Sequence, residues 1–216
     1  MEHPIPDDSK RVLTWAVIGA LIVVVLGVFV RDSAFDFPVT HAFNELNTGF
    51  IETVTTAVYT IFGTKPSIVW IVLLSVIIMI ARKNVRTGLV FGLTVLFTWL
   101  PVAIMKMIYM RPRPDKAELA NPSQFNPADW SYPSGHTVII TITMIALIIV
   151  TTGTKVQLVP RVLAPALIVL VGFTVLALGV HFPTDMIASI IWGITVTPLM
   201  WLGLSALFRV PAVGIR

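Results

Sequence analysis

Between Arg161 and Arg209 the chain carries a single charged residue, Asp185. A helix on the surface of a soluble protein needs a polar face, and this stretch has too few polar residues to supply one. It is also too long for one membrane crossing, which takes about 20 residues. It therefore reads as two spans, 162–180 and 186–208, joined by the turn His181-Phe182-Pro183-Thr184-Asp185. Comparable apolar runs lie upstream at 13–30, 67–81, 87–107 and 134–151. The expectation is an all-α integral membrane protein of about six transmembrane helices, forming a single domain over residues 1–216. Composition agrees. Hydrophobic residues make up 56% of the chain and charged residues 12%, against roughly 25% charged in soluble domains. The apolar excess must face lipid.

The first run follows Lys10 and Arg11, as a secretory signal would. It is longer than the usual apolar core of about 7–15 residues, and it ends in Arg31-Asp32 without a small-x-small cleavage site. It is read as a retained span. Residues 35–63 break the pattern, because His41, Asn44, Glu45, Asn47 and Glu52 make the first half polar. This segment reads as an N-terminal interfacial amphipathic helix leading into a short buried turn, with a further half-span as the alternative. The absence of cysteine excludes a thiolate nucleophile, a disulfide scaffold and a cysteine zinc site. A net charge of +4, spread along a membrane protein, points to no nucleic-acid partner.

The basic residues set an orientation. Lys10, Arg11, Arg82, Lys83, Arg86, Lys155, Arg161, Arg209 and Arg216 fall on one side of the six-span arrangement. Arg31, Lys65, Lys106, Arg111, Arg113 and Lys116 fall on the other. The richer side is expected to be cytoplasmic, with both termini. Either way, the end of the third span, the start of the fourth, the end of the fifth and the start of the sixth share one face.

Three segments on that face carry chemistry. In the first, Lys106, Arg111 and Arg113 gather at an apolar helix end, with Pro112 and Pro114 fixing the backbone between them. Guanidinium forks and an ammonium suit phosphate oxygens, although cations also flank spans for topological reasons alone. In the second, Pro133-Ser134-Gly135-His136 opens a span. Ser134 caps the helix start, and the free backbone donors there favour an anion. Gly135 permits close approach. In the third, His181 and Asp185 form an imidazole–carboxylate pair, in which the acid fixes the tautomer and frees the other ring nitrogen to attack. A satisfied histidine in a polar loop is the plainer alternative.

Taken together and in this order, the segments resemble the type-2 phosphatidic acid phosphatase superfamily. Its pattern is Lys-x6-Arg-Pro, then Pro-Ser-Gly-His, then Ser-Arg-x5-His-x3-Asp. Lys106, Arg113 and Pro114 match the first part, 133–136 the second, and His181 with Asp185 the end of the third. The resemblance implies a membrane enzyme that hydrolyses a lipid phosphate or lipid diphosphate, with undecaprenyl diphosphate, phosphatidic acid and phosphatidylglycerophosphate all compatible. It implies no cofactor, no metal and a bacterial plasma membrane, on whose extracytoplasmic face the distribution of Lys and Arg places the site. By the same resemblance His181 is the nucleophile and forms a phosphohistidine. Asp185 orients it and His136 serves the leaving group, while Lys106, Arg113, Ser134 and Gly135 hold the phosphoryl oxygens. From their placement, Trp130 and Tyr132 read first as interfacial membrane anchors, with lining of the mouth of the site as the other role.

One departure stands out. The family's Ser-Arg falls on Thr174 and Val175, so a phosphate-binding guanidinium is missing. Arg111 is the substitute expected from the sequence. The alternatives to hydrolysis are a lipid phosphotransferase, or a catalytically weak lipid-phosphate binder or transporter.

Overall fold

The computed structural model describes residues 7–210, all helical apart from turns and loops. Eight α-helices follow one another: α1 (Asp7–Val30), α2 (Phe37–Glu45), α3 (Gly49–Ile61), α4 (Thr64–Ala81), α5 (Val85–Tyr109), α6 (Gly135–Thr151), α7 (Leu158–Ala177) and α8 (Pro183–Phe208). Helices α1, α4, α5, α7 and α8 are long and apolar enough to cross a membrane, and α6 is a shorter apolar helix. The six expected spans map onto these six helices. Arg216 and the extreme termini, which entered the orientation argument, lie outside the described residues.

Helix α6 explains its own shortness. Its 17 residues rise about 26 Å at 1.5 Å each, short of roughly 30 Å of hydrocarbon. It is buried on every side, by α4, α5, α7 and α8. A helix enclosed by protein need not match the lipid thickness. Its neighbours approach closely through small residues, as membrane helices do. A Cβ on Gly193 of α8 would come within 2.6 Å of Thr141 of α6, and one on Gly19 of α1 within 2.1 Å of Thr195 of α8. The outward faces carry Trp15, Phe29, Ile80 and Leu207, all exposed.

The segment 35–63 corrects one expectation. It holds two helices, α2 and α3, where one helix and a buried turn were read. Asn47, extended Thr48 and left-handed Gly49 (φ +53°) break them apart. Asn44 ties α2 to the rest of the bundle. Its side chain is buried and donates to the carbonyls of Asn121 and Ala177, each at 2.8 Å. Both helices pack on α7, while Phe50 and Ile61 remain exposed on α3.

The topology brings the C-terminal ends of α1, α3, α5 and α7 and the N-terminal ends of α4, α6 and α8 to one end of the bundle. A long loop, 110–134, covers that end and includes a 3-10 turn at Lys116–Glu118.

Candidate active site

A cavity of about 210 Å³ opens at this end. Lys106 reaches it from α5, Arg113 and Asp129 from the covering loop, Gly135 and His136 from α6, and His181 from the α7–α8 turn. Tyr59 and Phe62 close one wall. Five of the eight residues singled out from the sequence therefore share one cavity.

His181 is buried and held from two sides. Its Nδ1 lies 3.3 Å from Asp185 Oδ2 and 3.4 Å from Ser131 Oγ. Its Nε2 lies 3.1 Å from Arg113 Nη1. Arginine has only donors, so Nε2 accepts and the ring proton sits on Nδ1, facing the carboxylate. Burial, and then the charge of Arg113, hold the imidazole well below its ordinary pKa, so the ring is neutral. A neutral ring with a lone pair on Nε2 is a nucleophile's state. The His181 carbonyl is fixed separately by Thr40 Oγ1 of α2 at 3.2 Å.

Asp185 stands directly behind His181 and is fully buried. Its Oδ2 accepts from the Phe182 N–H at 2.9 Å and, at shorter range, from Ser131 Oγ. Its Oδ1 accepts from Arg111 Nη1 at 2.7 Å. Arg111 continues the chain of charges to a second buried carboxylate, with Nη2 at 2.8 Å from Asp36 Oδ1. Asp36 in turn accepts from the Thr184 N–H at 3.0 Å and the Thr184 hydroxyl at 2.6 Å. The guanidinium carbon of Arg111 lies 4.0 Å above the Phe182 ring.

Arg111 is therefore not where the sequence reading placed it. It does not line the cavity. Two carboxylates, Thr184 Oγ1 and the Ser33 carbonyl take its hydrogen bonds. Val175 is fully buried in an apolar cluster with Tyr59, Leu178 and Val180, so no cation replaces the missing guanidinium from that side. Ser134 takes the plainer of its two roles. Its hydroxyl accepts from the Thr137 N–H at 3.3 Å and caps α6 outside the cavity wall. Tyr132 does not line an interfacial mouth. It is buried with its hydroxyl on the Val23 carbonyl, while Trp130 is exposed.

His136 also lines the cavity. Its ring stacks on Tyr59 with centroids 3.9 Å apart. Its Nε2 meets the Tyr59 carbonyl at 3.1 Å. A carbonyl only accepts, so this nitrogen carries the proton.

Sequence reasoning did not single out Asp36, Ser131, Tyr59 or the pairing role of Asp129. Asp129 sits in the covering loop and lines the cavity. Its partners are Lys106 and Arg113. Among the described residues, no group of three or more His, Cys, Asp or Glu side chains is arranged to hold a metal ion.

A buried histidine–carboxylate pair, faced by one cation at a helix end and another in the covering loop, sits among helices apolar enough to cross a membrane and defines a class of integral membrane protein. Residues 87–209 match the PAP2 superfamily, and the chain belongs to that superfamily. Its fold is similar to the crystal structure of the first transmembrane PAP2 type phosphatidylglycerolphosphate phosphatase from Bacillus subtilis. The TM-score is 0.69 at 19% identity, covering 90% of this chain and 96% of that one. No curated protein sequence matches the chain.

Proposed function

We propose that the protein hydrolyses the phosphomonoester of a lipid phosphate, or the terminal bond of a lipid diphosphate, through a phosphohistidine and without a metal. The observation that carries this reading is the presentation of His181, with Nδ1 tied to Asp185 and Nε2 turned toward the cations that line the cavity. In the first step His181 Nε2 forms a bond to phosphorus as the P–O bond to the lipid breaks. The departing oxygen takes a proton from His136 in its imidazolium form, charged while the phosphate is bound beside it, and the ring is left neutral. In the second step His136 accepts a proton from water, the hydroxide attacks phosphorus, and the P–N bond breaks to release inorganic phosphate. Asp185 accepts the Nδ1–H bond throughout and stabilises the positive ring of the intermediate. Arg113 and Lys106 bind the phosphoryl oxygens, and the Gly135 backbone lets them come close.

A lipid substrate fits the scale of the cavity. Its 210 Å³ is smaller than the roughly 300–1,000 Å³ that encloses a drug-sized ligand. It accommodates a phosphate headgroup, and the hydrocarbon stays outside in the bilayer. The distribution of Lys and Arg supports an extracytoplasmic site with cytoplasmic termini. The structural neighbour is a phosphatidylglycerolphosphate phosphatase, so phosphatidylglycerophosphate belongs in the test panel beside phosphatidic acid and undecaprenyl diphosphate. The apolar surroundings of Val175 favour the weak-binder reading as the competitor. The deciding experiment is phosphate release from that panel by the purified protein in detergent, with and without EDTA. Turnover that survives EDTA and disappears in His181→Ala supports hydrolysis. A requirement for added magnesium, or full turnover in His181→Ala, would sink it.

A further inference from the structure

All five N–H groups of Arg113 are already engaged by the protein. Nε donates to the Asp129 carbonyl at 3.0 Å. Nη1 donates to the Val180 carbonyl and to His181 Nε2. Nη2 donates to Asp129 Oδ1 at 2.6 Å and to the Trp130 carbonyl at 3.4 Å. Lys106 Nζ meets Asp129 Oδ2 at 3.0 Å and donates to the Trp130 carbonyl. The Asp129 carboxylate thus bridges the two cations through one oxygen each, as two oxygens of a phosphate would. It is the acidic side chain among the residues that line the cavity. It is also the loosest member of the cluster, with its side chain 55% exposed against 9% for Lys106 and 15% for Arg113.

We propose that Asp129 is an internal anion that occupies the phosphate seat and sets a threshold that a doubly charged phosphate group clears and a singly charged one does not. The proposal rests on the reading of Lys106 and Arg113 as the phosphate-binding pair. A bilayer surrounds this site with phosphodiester headgroups, each bearing one negative charge. Exchanging the carboxylate for a phosphodiester puts one charge in place of one charge, and returns no Coulomb energy for the disruption. A phosphomonoester carries about −1.5 to −2 at pH 7, so the exchange gains attraction to both cations. The three carbonyl contacts of Arg113 hold its plane in place while the carboxylate swings out. Asp129 is a dependable competitor because it stays ionised. Burial works to raise its pKa, but Lys106 and then Arg113 outweigh it and hold the group at about 2.

The simpler role for Asp129, orienting the two cations, predicts the opposite sign. The test is Asp129→Asn in the full-length protein in detergent, with binding of inorganic phosphate and of dimethyl phosphate measured by calorimetry. Removing the competitor should tighten phosphate on the order of tenfold. It should tighten dimethyl phosphate by a similar factor, so that an anion too weak to fill the wild-type seat binds measurably in the variant. Asp129→Ala gives a second reading if the asparagine variant folds poorly, since alanine leaves no oxygen to bridge the cations. Equal or weaker phosphate binding in both variants would overturn the proposal, and so would no binding in any form of the protein. Measurable dimethyl phosphate binding to the wild type as tight as to Asp129→Asn would overturn the exclusion of singly charged anions. These measurements need no turnover. A protein that binds phosphate as expected but releases none from any lipid would count against the hydrolase reading and leave this one standing.

Discussion

Two arginines separated only by Pro112 meet carboxylates in opposite circumstances. Arg111 lies between Asp36 and Asp185, all three buried. Arg113 meets Asp129, whose side chain is half exposed. The chemistry of the two pairings is the same, and water makes the difference. Breaking a buried pair leaves a charge with nowhere to go, at a cost of about 3–5 kcal/mol. Breaking a pair open to solvent costs about 0–1 kcal/mol. The rear of the site is therefore a fixed frame for His181, and the front is an exchangeable contact that a ligand can replace.

The comparison breaks most sharply at Asp185. Asp185→Asn keeps the shape but removes the acceptor that fixes the His181 tautomer. Its kcat should fall by about 10⁴-fold, with KM for the lipid phosphate changed far less. An asparagine enzyme with near wild-type kcat would show that the rear frame is not needed for catalysis.

Arg111→Ala comes next. It strands Asp36 and Asp185 as two buried like charges, and should cost about 3–5 kcal/mol in unfolding measured in detergent. Arg111→Lys should recover only part of this, because an ammonium cannot fork to both carboxylates. If Arg111→Ala instead left stability intact and raised KM for the lipid phosphate, the arginine would be serving phosphate after all.

Arg113→Ala should show the reverse profile. Its kcat/KM should drop by about 10²- to 10³-fold, as when a transition-state donor is removed, while the melting temperature changes little. A large loss of stability here would erase the distinction between front and rear.

The smallest effect is the most discriminating. Raising the salt from 0.1 M to 1 M shortens the screening length from about 10 Å to about 3 Å. The stability difference between wild type and Asp129→Asn, already under about 1 kcal/mol, should vanish. The cost of Arg111→Ala should survive. Equal salt sensitivity at both places would mean that exposure does not separate the two pairs.

What was legible in the sequence follows from the same contrast. Lys106, His181 and Asp185 stood out because an ionisable group inside or beside an apolar run has no ordinary reason to be there. The six spans were legible on the same grounds. Asp36, Ser131 and Asp129 were hidden because aspartate and serine are commonplace in loops, and only the tertiary fold carries these three to His181, Asp185 and Arg113. Arg111 was recognised as chemically charged, but its direction was not readable. That direction depends on which carboxylate lies within reach, and Asp36 comes from 75 residues away. The break between α2 and α3 was missed because it rests on the left-handed Gly49 and on Asn44 reaching across to Asn121 and Ala177.

The family match begins at residue 87, yet Asp36 and Tyr59 lie ahead of it. One holds the guanidinium behind the carboxylate that backs His181, and the other stacks on His136 and accepts a hydrogen bond from its ring. The recognisable portion is thus not a self-sufficient module that can be cut out or transplanted intact. A chimera joining residues 87–209 to a different leading segment would inherit every motif and still leave Arg111 with only one of its two carboxylates, Asp185, unless the donor brought an acid to the place of Asp36.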